Sequence, residues 1–257
     1  MTAATPPGVA LPFAAGSAIR RLHGEGVVLL GGGRALLMQL AEPRIARGVA
    51  EHSSFRRDRL ARLLRTLRPM YAIAFGSREQ ALAAAASVNR LHESVAGDGY
   101  SARDQELLVW VLATLIDTTL VMHESFLPPL DPLIAAAYYE QMQRVGELLG
   151  IPCGAMPRDL PAFHGYVAEA VATLEVSPLA QELAAAIFRP RPGPWLGMWP
   201  LRQLTAGLLP PRLRAGFDLG WGPGRDRTLD LTASLSRRVL PAVPKRWRGP
   251  PAFLLPR

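Results

Sequence analysis

The chain has 257 residues, 49% of them hydrophobic and 19% charged. That is enough to bury a core without disulfide or metal staples, and the balance excludes a disordered chain and a polytopic membrane protein. A single cysteine, Cys153, excludes an intrachain disulfide and any Cys-x-x-Cys site, and a single lysine, Lys245, excludes a Walker A loop, a pyridoxal Schiff base or a Ser-x-x-Lys acylase upstream of it. The formal charge is +8. Residues 221–257 carry eight basic residues and two acids, so the excess belongs to a tail, and a nucleic-acid partner is not expected.

In chain order, residues 1–16 carry Pro6, Pro7 and Pro12 with no basic cluster before an apolar stretch, the mark of a loose, flexible arm and not of a signal peptide. Residues 26–30 are the one candidate strand. Helical spacing covers 35–41, 45–50 and 58–75. Ser77-Arg78-Glu79-Gln80 is a capping box that opens a helix to about Val95, and Ser101-Ala102-Arg103-Asp104 opens the next in the same way. The apolar run 107–122 is broken by Asp117 and falls short of the roughly 20 residues of a bilayer-spanning helix, so a cytoplasmic protein is expected. Asp131-Pro132, Asp159 and Ser177-Pro178 start three more helices. Residues 190–257 hold 12 of the 24 prolines and four of the five tryptophans, with short helices near 201–208, 211–217 and 226–240. The expected architecture is all-α, with about nine helices. A single helical domain spans 17–240, its Pro/Trp-rich C-terminal part wrapping the core, and a basic Pro-rich tail covers 241–257.

Familiar motifs fail one by one. Gly31-Gly32-Gly33-Arg34 could cradle a phosphate, but the dinucleotide pattern breaks at Leu36, and a plain glycine turn is the simpler reading. No Gly-x-Ser-x-Gly elbow occurs. His92-Glu93 and His123-Glu124 do not continue to His-Glu-x-x-His, because positions 96 and 127 are Ala and Leu. No histidine has an acid three residues before it, which excludes a Glu-x-x-His di-iron pair. What remains is histidine and arginine on apolar helix faces. His92 shares a face with Val88, Leu91 and Val95, where it is either a core histidine bonded to backbone or a metal ligand. Arg62, Arg65 and Thr66 lie at i, i+3 and i+4 on the preceding helix, where the arginines either snorkel to solvent or pair with a buried carboxylate ligand. Asp117 and His123 on the next helix read as solvated or capping groups.

The stretches Gly32-Gly-Arg-Ala-Leu-Leu-Met-Gln-Leu, Gly48-Val-Ala-Glu-His-Ser-Ser-Phe, Arg62-Leu-Leu-Arg-Thr, Phe75-Gly76 and Asn89-Arg-Leu-His92-Glu-Ser-Val resemble the MpaB-type oxygenases, a family that includes the bacterial latex-clearing rubber oxygenases. Trp110-Val-Leu-Ala-Thr114, Tyr138-Tyr139-Glu140, Leu148-Leu-Gly-Ile-Pro152 and Leu208-Leu-Pro-Pro-Arg212 continue the likeness, which covers roughly residues 20–240 in order. The resemblance implies an all-α fold holding haem b non-covalently, with dioxygen as co-substrate and oxidative cleavage of carbon–carbon double bonds in a hydrophobic small molecule. It puts the proximal iron ligand at His92 and the catalytic and cofactor-binding Arg-x-x-Lys-Thr motif at Arg62, Arg65 and Thr66, where Arg65 replaces the lysine. Leu112 and Glu42 stand where relatives often have histidine. Candidates for the distal side or the catalytic acid are His123, Asp117 and Glu51. Two rival readings stay open: a catalytically idle haem binder, and a haem-free lipid-binding or structural helical protein. The tail, with Trp221, Trp247 and its basic residues, is a candidate for peripheral contact with an anionic membrane, against the plainer reading of a packed wrap with solvated arginines.

Overall fold

The computed structural model describes residues 11–52, 59–188 and 198–256, and of residues 59–63, 65 and 198 the backbone alone. Thirteen α-helices occur among the described residues: α1 (Ala18–His23), α2 (Gly32–Leu40), α3 (Pro43–His52), α4 (Arg59–Phe75), α5 (Arg78–Glu93), α6 (Gln105–Phe126), α7 (Pro132–Leu148), α8 (Leu160–Thr173), α9 (Pro178–Phe188), α10 (Met198–Leu208), α11 (Pro211–Gly216), α12 (Pro223–Val239) and α13 (Lys245–Arg248). Two antiparallel two-residue strands, β1 (Ala96–Gly97) and β2 (Tyr100–Ser101), join α5 to α6. The all-α expectation holds. The surplus over nine helices includes α1 and α13, each too short to leave a helical period in sequence. The one candidate strand is instead a 3-10 helix, Gly26–Gly31.

Helix starts follow their caps. Ser77 accepts from the Gln80 amide while the Gln80 side chain accepts from the Ser77 amide, the reciprocal pair read from sequence. Asp131 and Asp159 cap α7 and α8 as expected. At α6 the cap is Asp104, not Ser101, whose backbone is taken up by the hairpin and whose amide donates to the Asp104 carboxylate.

The centre belongs to α6. It is the one helix among the described residues long and apolar enough to cross a bilayer, but two thirds of its apolar window is buried inside the fold. Its buried side chains from Leu107 to Phe126 take partners on every side: α2, α7, α8, α12 and the 3-10 helix. The stretches that carry the family likeness prove to be the joints of this packing. Trp110 Nε1 donates to Met38 O at 3.1 Å and Gln39 Nε2 to Thr114 Oγ1 at 2.9 Å, pinning the end of α2 to α6. The glycine run is likewise a packing device. A Cβ on Gly31 would fall 2.6 Å from a Thr118 methyl, and one on Gly33 would fall 2.2 Å from Thr205 Oγ1, so the end of the 3-10 helix approaches α6, and α2 approaches α10, through bare backbone. Tyr139 donates to Pro157 O at 2.6 Å, and Asn89 Nδ2 to Leu148 O at 3.0 Å ties α5 to the end of α7.

The C-terminal part wraps the core, as read from sequence. Helix α10 packs on α2 and α12 on α6, where Ser236 and Arg237 donate to the carbonyls of Phe126 and Ser125 that α6 leaves free at its end. Beyond it, Arg248 pairs with Glu25 at 3.3 Å and Leu254 is buried. Of the N-terminal arm, Phe13 enters the core.

Candidate active site

Helices α4 and α5 form the most extensive helix pair among the described residues. Arg20 holds the end of α4 in place: Nε donates to Ala74 O at 2.9 Å and Nη2 to Phe75 O at 3.1 Å. The packed line of α5 starts with Ala81 and Ala85, and His92 continues it seven residues on. His92 lies in the last turn of the helix, not mid-helix, and Leu91 beside it is 56% exposed, so the apolar face expected there is narrower than the sequence suggests. The imidazole is half-buried and makes no hydrogen bond to the described residues, and burial lowers its pKa. It is therefore neutral at physiological pH, with a nitrogen lone pair open for a metal. On α4, Thr66 is exposed. Arg62 and Arg65 lie one turn and one residue before it, and their side chains are outside the described residues.

The β1–β2 hairpin follows α5 directly and meets the end of α3. His52 Nε2 lies 3.1 Å from Ala96 O, Arg47 donates to Asp98 O, and Glu51 accepts a hydrogen bond from the buried Tyr100 hydroxyl. Gly48 and Gly97 leave room for the Tyr100 ring, which a Cβ on Gly97 would meet at 2.5 Å. The Glu51 carboxylate raises the Tyr100 pKa. Glu51 is exposed, and its structural task is to hold this hairpin beside the end of α5 that carries His92.

The other two distal candidates occupy α6, and neither is the solvated group expected. Asp117 pairs with Arg34 Nη2 at 2.7 Å. That guanidinium is 4% exposed and also donates to Thr118 Oγ1 at 2.9 Å and to Leu208 O at 2.8 Å. Asp117 is thus committed to a buried joint between α2, α6 and α10. This removes it as a free acid; no described hydrogen bond or ion pair joins it to His92. His123 is 8% exposed, its Nδ1 has no partner among the described residues, and burial followed by the charge of Arg21 lowers its pKa.

His23, which stands beside a glycine turn, is not among the candidate residues read from sequence. Its ring lies between Tyr71 and Tyr138, with Tyr138 Oη 3.3 Å from Nε2 and Tyr71 Oη donating to the His23 carbonyl at 3.0 Å. Burial lowers its pKa to about 4. Burial raises the pKa of the Tyr138 hydroxyl, and its side-chain interaction with Thr119, one turn before His123 on α6, partly offsets this. The sequence signal available was the pair Tyr138-Tyr139, two fully buried phenols whose hydroxyls must find partners. Two cavities, one of about 430 Å³ near Phe188, Arg202 and Leu219 and one of about 270 Å³ near Glu140, Glu147 and Cys153, are lined by none of the predicted site residues.

The fold is all-α and built round one buried apolar helix, and a half-buried histidine at the end of α5 has no hydrogen-bond partner among the described residues. The chain belongs to the family described as ER-bound oxygenase mpaB/B′/rubber oxygenase, catalytic domain, which it matches over residues 20–238. It is an enzyme of the oxygenase class. It is also 28% identical to uncharacterized proteins of Mycobacterium tuberculosis and Mycobacterium bovis, over 82% of this chain and 88% of each of theirs. By donor type His92 fits a haem iron, since its ring has no hydrogen-bond partner among the described residues; the side chains of Arg62 and Arg65 lie outside those residues.

Proposed function

We propose that the protein is a haem-b-dependent oxygenase that uses dioxygen on a hydrophobic small molecule, in the manner of oxidative double-bond cleavage. The observation that supports this reading best is His92, a half-buried neutral imidazole without a partner among the described residues, at the position where the family resemblance expects the proximal ligand. Haem would supply the oxygen chemistry. This chain's residues place it and keep its surroundings dry. His92 would hold the iron, and Arg62 and Arg65 would be the cations for the propionates, each charge-assisted contact contributing about 1.5–3 kcal/mol to retention. Glu51 positions the Tyr100 hairpin next to the His92 turn. His123, buried with an Nδ1 that has no partner among the described residues, stays a distal candidate by residue type alone, because the His123 turn meets α7 at Tyr138 and the His92 turn meets it at Leu148, about 15 Å further along the helix. The proposed location is cytoplasmic.

The test is a visible spectrum with iron quantitation on protein purified after haem supplementation, followed by dioxygen uptake with a panel of polyisoprenoids. A Soret band, stoichiometric iron and substrate-dependent uptake are expected. A colourless, iron-free protein would reject the proposal, and a haem protein without uptake on any member of the panel would reduce it to a haem binder.

A further inference from the structure

One helix uses both of its faces, and only one of them against the protein. On α12 the inward face carries Leu229, Ala233 and Ser236, packed against α6 and α10 or bonded to the end of α6. On the opposite face, Leu231 and Leu235 are 72% and 62% exposed, one turn apart, and Val239 continues the line. Arg227 and Arg238 flank these leucines at helical spacing and are exposed. The chain beyond the helix repeats the combination: Trp247 is 73% exposed with Arg246 stacked over its ring at 5.4 Å, Phe253 is 60% exposed, and Lys245 is exposed. None of Arg227, Arg238, Lys245 and Arg246 has an acidic partner among the described residues.

We infer that α12 and the segment after it form a docking surface for an anionic lipid bilayer. Exposed leucines alone would fit any apolar partner; the arrangement round them selects the lipid. An interfacial helix needs an apolar stripe bordered by basic residues, with tryptophan and phenylalanine at headgroup depth, and all three are present on one contiguous segment. The charge balance complements that surface. Residues 221–257 hold eight basic residues against Asp226 and Asp230; Arg237 and Arg248 are taken up by Ser125 O and Glu25, and Arg227, Arg238, Lys245 and Arg246 are exposed, while the rest of the chain is close to neutral. Asp226 is moreover occupied by the Trp221 indole N–H. The surface requires no refolding, because the inward face already anchors the helix.

The experiment is co-sedimentation of the full chain with phosphatidylcholine vesicles, with and without about one-third phosphatidylserine, at low and high salt. Binding to the anionic vesicles at low salt, weak binding to neutral ones and release by salt are expected. Replacing Arg227, Arg238, Lys245 and Arg246 by Ser should weaken binding by about fivefold per charge. Leu231→Ser with Leu235→Ser should weaken it by about tenfold or more even at low salt. Both variants should keep the parent's circular dichroism and melting temperature, since every altered side chain is exposed. Equal partition onto neutral vesicles, absence of binding to either, or unchanged binding of the leucine variant would overturn the inference. So would a concentration-dependent dimer abolished by the leucine variant, which would make a second copy the occupant. The readout does not involve haem, so it stands or falls apart from the proposed function.

Discussion

Asp117→Asn is expected to destabilise the fold although no proposed chemistry depends on this residue. The carboxylate lies 2.7 Å from a guanidinium that is 4% exposed, so neutralising it leaves a buried cation without its counter-charge. Removing one partner of a buried pair costs about 3–5 kcal/mol. Arg34 keeps Thr118 Oγ1 and Leu208 O as acceptors, and the Asp117 side chain is 14% exposed, so the low end, about 3 kcal/mol, applies. At about 2–4 °C per kcal/mol for a chain of this size, the melting temperature should fall by about 6–12 °C. Arg34→Met combined with Asp117→Leu removes both charges and should recover most of that loss, because the pair's attraction roughly offsets its desolvation. Thermal melts by circular dichroism on the single and double variants decide it. A melting temperature for Asp117→Asn within about 2 °C of the parent would show that Arg34 is solvated and the α2–α6–α10 joint is not built as described.

Gly33→Ala should lower stability by about 1–3 kcal/mol in denaturant melts, because the added Cβ would fall 2.2 Å from Thr205 Oγ1 and the buried Thr205 has little room to yield. His23 gives a pH dependence of definite sign. Its folded pKa, about 4, lies below the ordinary 6.5, so the unfolded chain binds the extra proton first. The contribution is complete above pH 6.5 and is lost as pH falls from 6.5 towards 4. It is worth about 2 kcal/mol after allowance for partial exposure. Urea melts of His23→Phe from pH 7 to 4.5 should show a flatter decline than the parent, and parallel curves would mean that His23 is not the titrating group.

Most helix starts were legible because capping is local. Ser77 with Gln80, Asp131 before Pro132, and Asp159 each announce themselves within four residues. Where the local signal and a longer-range contact compete, the contact prevails. Ser101 had the chemistry of a cap but was claimed by the hairpin, and the β-branched, aliphatic stretch 26–30 coils into a 3-10 turn against α6. Site residues were legible in type and not in setting. Arg34 looked like the end of a glycine turn because its partners lie 83, 84 and 174 residues away at Asp117, Thr118 and Leu208. Helical period could show that His92 follows Ala81 and Ala85 round α5, but not that the helix stops one residue later. Arg62 and Arg65 remain known by their place on α4.

The most direct test of the account is the visible spectrum of His92→Ala beside His123→Ala, with haem and iron quantified on the same preparations and helicity checked by circular dichroism. The account predicts that His92→Ala keeps its helical signal and loses the Soret band and the iron, while His123→Ala retains both. A normal haem spectrum in His92→Ala with its loss in His123→Ala would contradict it and place the iron on α6.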